Sequence, residues 1–171
     1  FNTVLSPKVD GSWFLHELTR DLALDHFVVF SSIASVFGTH GQANHVAANT
    51  FMDALVAARR ADFLPGLSIN WGAWGELGTV VRLGILDRIR QQGVEGFDTA
   101  TGLAVLDRLM ASGEGSKVVT RMDWNRMLPI LQATAGAACT KSSGTAPPPL
   151  PPARPRPRAT AGLLRNCAPF P

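Results

Sequence analysis

Cysteine is missing from the first 132 of the 171 residues, and the only two, Cys139 and Cys167, come late. That part of the chain therefore has no disulfide framework and no cysteine zinc site, and a reducing cytosol is the expected compartment. The four histidines, His16, His26, His40 and His45, do not stand at metal-ligand spacing, so no metal is expected. No apolar run approaches the roughly 18 residues of a membrane span. The first residues lack the charged-then-apolar design of a signal peptide, and with no initiator methionine they read as a piece of a longer chain. No internal repeat is visible. No G-x-G-x-x-G occurs, so the usual turn that cradles a dinucleotide pyrophosphate is missing. Acids are missing after Gln132, where Lys141, Arg154, Arg156, Arg158 and Arg165 lie. The overall charge is +3, so residues 1–132 carry −2. The basic balance belongs to the tail and does not point to nucleic acid.

What is present centres on Phe27 to Asn49. Phe27-Val28-Val29-Phe30 is short, aromatic and β-branched, as suits a strand buried on both faces of a parallel sheet. Ser31-Ser32 stands where that strand should end. Gly38 and Gly41 punctuate the following loop, and a helical pattern runs from about Gln42 to Phe63. In open α/β sheets, chemistry gathers at the carboxyl ends of strands, beside helix starts. Ser32, His45 and Asn49 are placed that way, with His45 and Asn49 four apart on one helix face.

Ahead of this stretch, Ser6-Pro7 suits a helix start. Val9, Trp13, Leu15-His16, Leu18 and Leu22 form its stripe. Lys8, by its chemistry alone, is a solvated lysine in a first helical turn. Behind it, Ala47, Ala48, Phe51, Leu55 and Ala58 should face the sheet, with Arg59-Arg60 on a solvated face. Leu67–Trp71 reads as the next buried strand. Gly72 would let backbone approach a ligand closely, while Trp71 reads as a core aromatic. Residues 76–97, with Val80, Val81, Leu83, Ile85, Leu86 and Ile89, suit an amphipathic lid helix. Thr99–Met110 reads as a helix with Leu103, Leu106, Leu109 and Met110 inward, and Lys117–Thr120 as a last strand. Asp123 can cap a helix through Leu131, limited by Pro129. From Ala133 the pattern collapses. Nine of the 12 prolines lie between Pro147 and Pro171, as in an extended linker. Pro147–Pro152 could also pass for a polyproline ligand.

The stretch Gly41-Gln42-Ala43-Asn44-His45-Val46-Ala47-Ala48-Asn49, with the serine pair before it, resembles the catalytic core of polyketide synthase ketoreductase domains, a branch of the short-chain dehydrogenase/reductase family. In those domains a tyrosine follows the second serine by thirteen residues, and an asparagine follows four later; here these positions hold His45 and Asn49. The resemblance covers 1–132 and implies the carboxyl-terminal half of a Rossmann-like, doubly wound parallel α/β fold. It leaves 133–171 as a proline-rich, disordered tail. It implies catalytic roles for Ser32, which holds the substrate carbonyl, for His45 at the proton donor's place, for Asn49 and for Lys8. Lys8 stands in a Pro7–Gly11 segment like the one that carries the family's lysine. Cofactor contacts would fall to Lys8, Ser31, Asn70, Gly72 and Trp74, with NADPH as the cofactor. The implied partners are an acyl carrier protein bearing a phosphopantetheine-bound β-ketoacyl chain and other synthase domains, with no nucleic acid and no membrane. Phe37 stands where one class carries tryptophan, and Asn44 fits the opposite class, so product configuration stays open. Histidine in place of tyrosine leaves two functions open: an NADPH-dependent β-ketoacyl reductase, or a redox-silent remnant that keeps the scaffold. An imidazolium beside Lys8 would be suppressed by like charge, which favours reduced or absent activity.

Overall fold

Short β-branched strands alternate with longer helices, and this order winds into a parallel sheet because each helix returns the chain to the same end. The computed structural model describes residues 2–82 and 84–139. Strands β1 (Val28–Ser32), β2 (Leu67–Trp71) and β4 (Ser116–Val119) form a parallel sheet in that order. Helix α4 (Ala43–Ala61) crosses from β1 to β2, and α7 (Thr99–Ala111) leads to β4. The expected α/β architecture and the strands at 28–32 and 67–71 are observed, but β1 lies at the edge of the described sheet and Phe30 is exposed, so β1 is not buried on both faces as expected.

Two helices depart from the faces the sequence pattern indicated, α4 in part, since Ala48 and Leu55 are buried as expected. In α4 the buried line is Ala48, Met52, Leu55, Val56 and Arg59, whereas Ala47 and Ala58 face out. The line keeps helical spacing, and Arg59 is on it, only 1 % exposed. Its guanidinium stacks 3.9 Å from the Phe27 ring centroid. Its Nε donates to the Pro65 carbonyl (2.9 Å), and Nη1 lies 3.0 Å from His16 Nδ1. Arg59 is thus not on a solvated face; contact with an aromatic ring and two partners replace water at Nε and Nη1, while its buried Nη2 has no hydrogen-bond partner among the described residues.

Near the start, the single expected helix is two, α1 (Asn2–Leu5) and α2 (Val9–Thr19), with a break at Ser6–Lys8. Ser6 does not cap; its carbonyl accepts from Gly11 N–H. The inward side of α2 carries Ser12 and His16, while Trp13, Phe14, Leu15 and Leu18 are exposed.

The expected lid helix is two short helices, α5 (Gly78–Arg82) and α6 (Leu86–Gln91), followed by β3 (Val94–Glu95), which pairs antiparallel with β5 (Arg121–Met122). Leu83 lies outside the described residues. Leu103 turns outward, and Val105, Leu106, Leu109 and Met110 pack on Leu67, Ile69 and Trp71. The last described helix, α8 (Trp124–Cys139), starts as expected, with Asp123 Oδ1 accepting from Asn125 N–H at 3.0 Å. It passes Pro129 and runs beyond Leu131 to Cys139, because proline removes one hydrogen bond but leaves those of the following turns in place. The polyproline stretch lies outside the described residues, as does the rest of the expected linker after Cys139.

Gly102 on α7 shows how tightly the aromatic layer is set. A Cβ there would stand 2.5 Å from Cη2 of Trp74 and 3.1 Å from Cε2 of Phe97. Gly102→Ala should therefore destabilise by about 1–2 kcal/mol, the overpacking outweighing alanine's helical advantage of about 1 kcal/mol. A thermal melt with Trp fluorescence reads both the loss and the displaced indole.

Candidate active site

A strand alternates its side chains between faces, so Ser31 and Ser32 point opposite ways. Ser31 turns towards α4, and its Oγ reaches the Asn49 carbonyl at 3.4 Å. Ser32 turns into a cavity of about 490 Å³ beyond the strand ends. Its Oγ accepts from Ala34 N–H (3.2 Å), which leaves the hydroxyl proton to give. His45 lines the same cavity from the first turn of α4. Its half-buried ring has its pKa pushed down, chiefly by burial and then by the Lys8 ammonium. Cations are also disfavoured at a helix N-terminus. The imidazole is therefore neutral over more of the physiological range than an ordinary histidine.

Asn49 stands one turn on and is 0 % exposed. Its Nδ2 donates to the His45 carbonyl (2.7 Å), and its Oδ1 has no hydrogen-bond partner among the described residues. Lys8 sits in the break between α1 and α2 and donates to the Phe30 carbonyl on β1 (3.3 Å). Burial lowers its pKa, and the charge of Asp53 works against that. Ser32 and His45 thus share the cavity, while Asn49 and Lys8 stand beside it without lining it. Val80 of α5, Ile85, and Ile89 of α6, all from the segment read as a lid helix, line the cavity with apolar side chains, together with Met127 of α8, which sequence reasoning missed. No spacing rule signals that Met127 returns there from so far along the chain.

Residues 1–76 match the family model described as KR domain. The chain is 48 % identical over 123 residues to polyketide synthase GfsE of Streptomyces halstedii, covering 70 % of this chain. Against the spectinabilin polyketide synthase system protein NorB of Streptomyces orinoci it is 42 % identical over 151 residues, 86 % of this chain. A solved structure of A-type ketoreductases from a modular polyketide synthase superposes with a TM-score of 0.73 at 40 % identity, over 75 % of this chain. The chain belongs to the polyketide synthase ketoreductase family. It is a part of such a domain: it spans 27 % of that solved ketoreductase chain, and 3 % and 6 % of the two synthases. The first ketoreductase of the tylosin synthase is also similar, with a TM-score of 0.69 at 36 % identity, and the chain spans 29 % of it.

Within this ketoreductase piece, the side chains assigned to a cofactor are mostly engaged elsewhere. Asn70 is 2 % exposed. Its Nδ2 lies within bonding distance of Ser31 Oγ, Ser35 Oγ and Asp53 Oδ2, and its Oδ1 accepts from Ser116 Oγ. The ring of Trp74 packs on Trp71 and Phe97 at 5.0 and 5.1 Å between centroids. Gly72 lines the cavity, but the close approach its missing side chain permits is to Thr120, whose Oγ1 would lie 2.6 Å from a Cβ. Of Lys8, Ser31, Asn70, Gly72 and Trp74, only Gly72 borders the cavity. Among the described residues, these five therefore do not converge on this cavity as a dinucleotide site. No tyrosine occurs anywhere in the chain, so none replaces the one absent at position 45. No described helix is long and apolar enough to cross a membrane.

Proposed function

We propose that this chain supplies the carbonyl-facing side of a β-ketoacyl-thioester reductase domain of a polyketide synthase, and that this copy is impaired by His45. On this reading the substrate is an acyl chain on the phosphopantetheine arm of a carrier protein, in the cytoplasm, and NADPH provides hydride to the domain. The shared cavity of Ser32 and His45 carries the reading. The Ser32 hydroxyl can donate to a ketone oxygen and concentrate its developing charge. The apolar wall of Val80, Ile85 and Met127 suits the acyl chain beside that ketone and limits water. The oxygen then needs a proton, and His45 is the titratable group that lines the cavity. Its lowered pKa supports the alternative, a redox-silent remnant, because a neutral imidazole is a poor acid. The tail after Cys139 is assigned the role of a linker.

The whole domain carrying these residues, assayed with NADPH on trans-1-decalone or a β-ketoacyl thioester, should turn over slowly. Ser32→Ala should remove about 10²-fold of what remains, the usual cost of one donor to a developing oxyanion. Turnover unchanged by Ser32→Ala would reject the assignment of the carbonyl subsite.

A further inference from the structure

The strands behind the cavity place polar residues among apolar ones, and these side chains converge on one carboxylate. Asp53, on α4 two turns after His45, accepts at Oδ2 from Ser35 Oγ (2.7 Å) and Asn70 Nδ2 (2.8 Å), and at Oδ1 from Ser68 Oγ. Ser35, on α3 (Ala34–Phe37), also lies 2.8 Å from the Ser32 carbonyl. Asn70 reaches Ser31 Oγ at 3.2 Å, and Ser31 reaches the Asn49 carbonyl. The Asn49 amide in turn holds the His45 carbonyl. One carboxylate on α4 therefore bonds directly to α3 and β2 and reaches β1 through Ser35 and Asn70.

We propose that Asp53 is a positioning residue of this site: its carboxylate fixes the turn bearing His45 and Asn49 against the strand end bearing Ser32. Carboxylate acceptors make the stronger bonds of such a network, and within a partly buried site they strengthen one another. Functional side chains hold their geometry only when a supporting set is satisfied, and here each donor around Asp53 has an acceptor. The same charge bears on Lys8, which in turn bears on His45. Asp53 thus acts on position through hydrogen bonds and on charge through Lys8.

The inference rests on the reductase reading only in treating the cavity as an active site, and its test needs no turnover. In the whole polypeptide, NMR can follow the ammonium of Lys8, one of three lysines with Lys117 and Lys141, together with the Ser32 and His45 resonances. Asp53→Asn keeps the shape and removes the charge. It should leave a cooperative melt, shift Ser32 and His45 together and lower the Lys8 titration midpoint. Ser35→Ala should shift Ser32 and leave the Lys8 midpoint in place, which a merely loosened fold would not do. An Asp53→Asn protein with all three signals at their parent positions overturns the proposal. If that variant does not fold, the Ser35→Ala/Ser68→Ala pair removes two donors from the carboxylate, and unmoved Ser32 and His45 resonances there overturn it equally.

Discussion

His45→Tyr should raise ketone reduction by the whole domain by about 10²-fold, the usual contribution of a positioned acid. The cavity and the residues beside it already hold what a phenol needs. Ser32 Oγ faces the same space, and the Lys8 charge that suppresses an imidazolium would stabilise a phenolate instead. The longer phenol also carries its oxygen further into the cavity than a ring nitrogen reaches. The pH profiles should separate the two proteins. With histidine the active form is the cation, so residual turnover is present at low pH and is lost as pH rises through a midpoint below the ordinary histidine value. With tyrosine the acid stays protonated across that window, and the rate should not fall there. Stopped-assay rates between pH 5 and 8 decide it. A parent that turns over freely and gains nothing from tyrosine would show that position 45 is not the proton donor's place.

Arg59→Ala should cost about 3 kcal/mol, the largest stability loss expected from a single substitution described here. The arginine leaves behind an unpaired Pro65 carbonyl, an unpaired His16 nitrogen and a gap over Phe27. Arg59→Lys should recover less than half, because an ammonium has no planar face to stack and no fork to reach both partners. Chemical denaturation of parent, Ala and Lys variants gives the order directly. An alanine variant as stable as the parent would mean that desolvating the guanidinium cancels everything it gains.

Arg59 also marks where reading the sequence stops. The strands at 28–32 and 67–71 and the helix between them were legible because short β-branched runs and a long helical period have few other outcomes. Ser32 and His45 were legible as a pair because strand ends and helix starts meet at one edge of such a sheet. Which side of α2 faces inward was not legible, and on α4 only part of the buried line was. Pattern reading gives charged residues to water and apolar ones to the core, whereas Arg59 and His16 satisfy each other inside and Trp13 and Leu18 lie outside. Met127 depends on the path of a distant helix, which periodicity does not encode. Asp53 did leave a signal: Ser31, Ser68 and Asn70 interrupt strands otherwise destined for burial, and buried polar groups require partners.

The outward side of α2 has a colloidal consequence. Trp13, Phe14, Leu15 and Leu18 lie on the surface within two turns of one helix. A band of that kind is adhesive in water. Polypeptide handled with that band bare would cling to its own copies and to hydrophobic resins, and its yield would depend more on how that band is shielded than on the strength of the sheet beneath it.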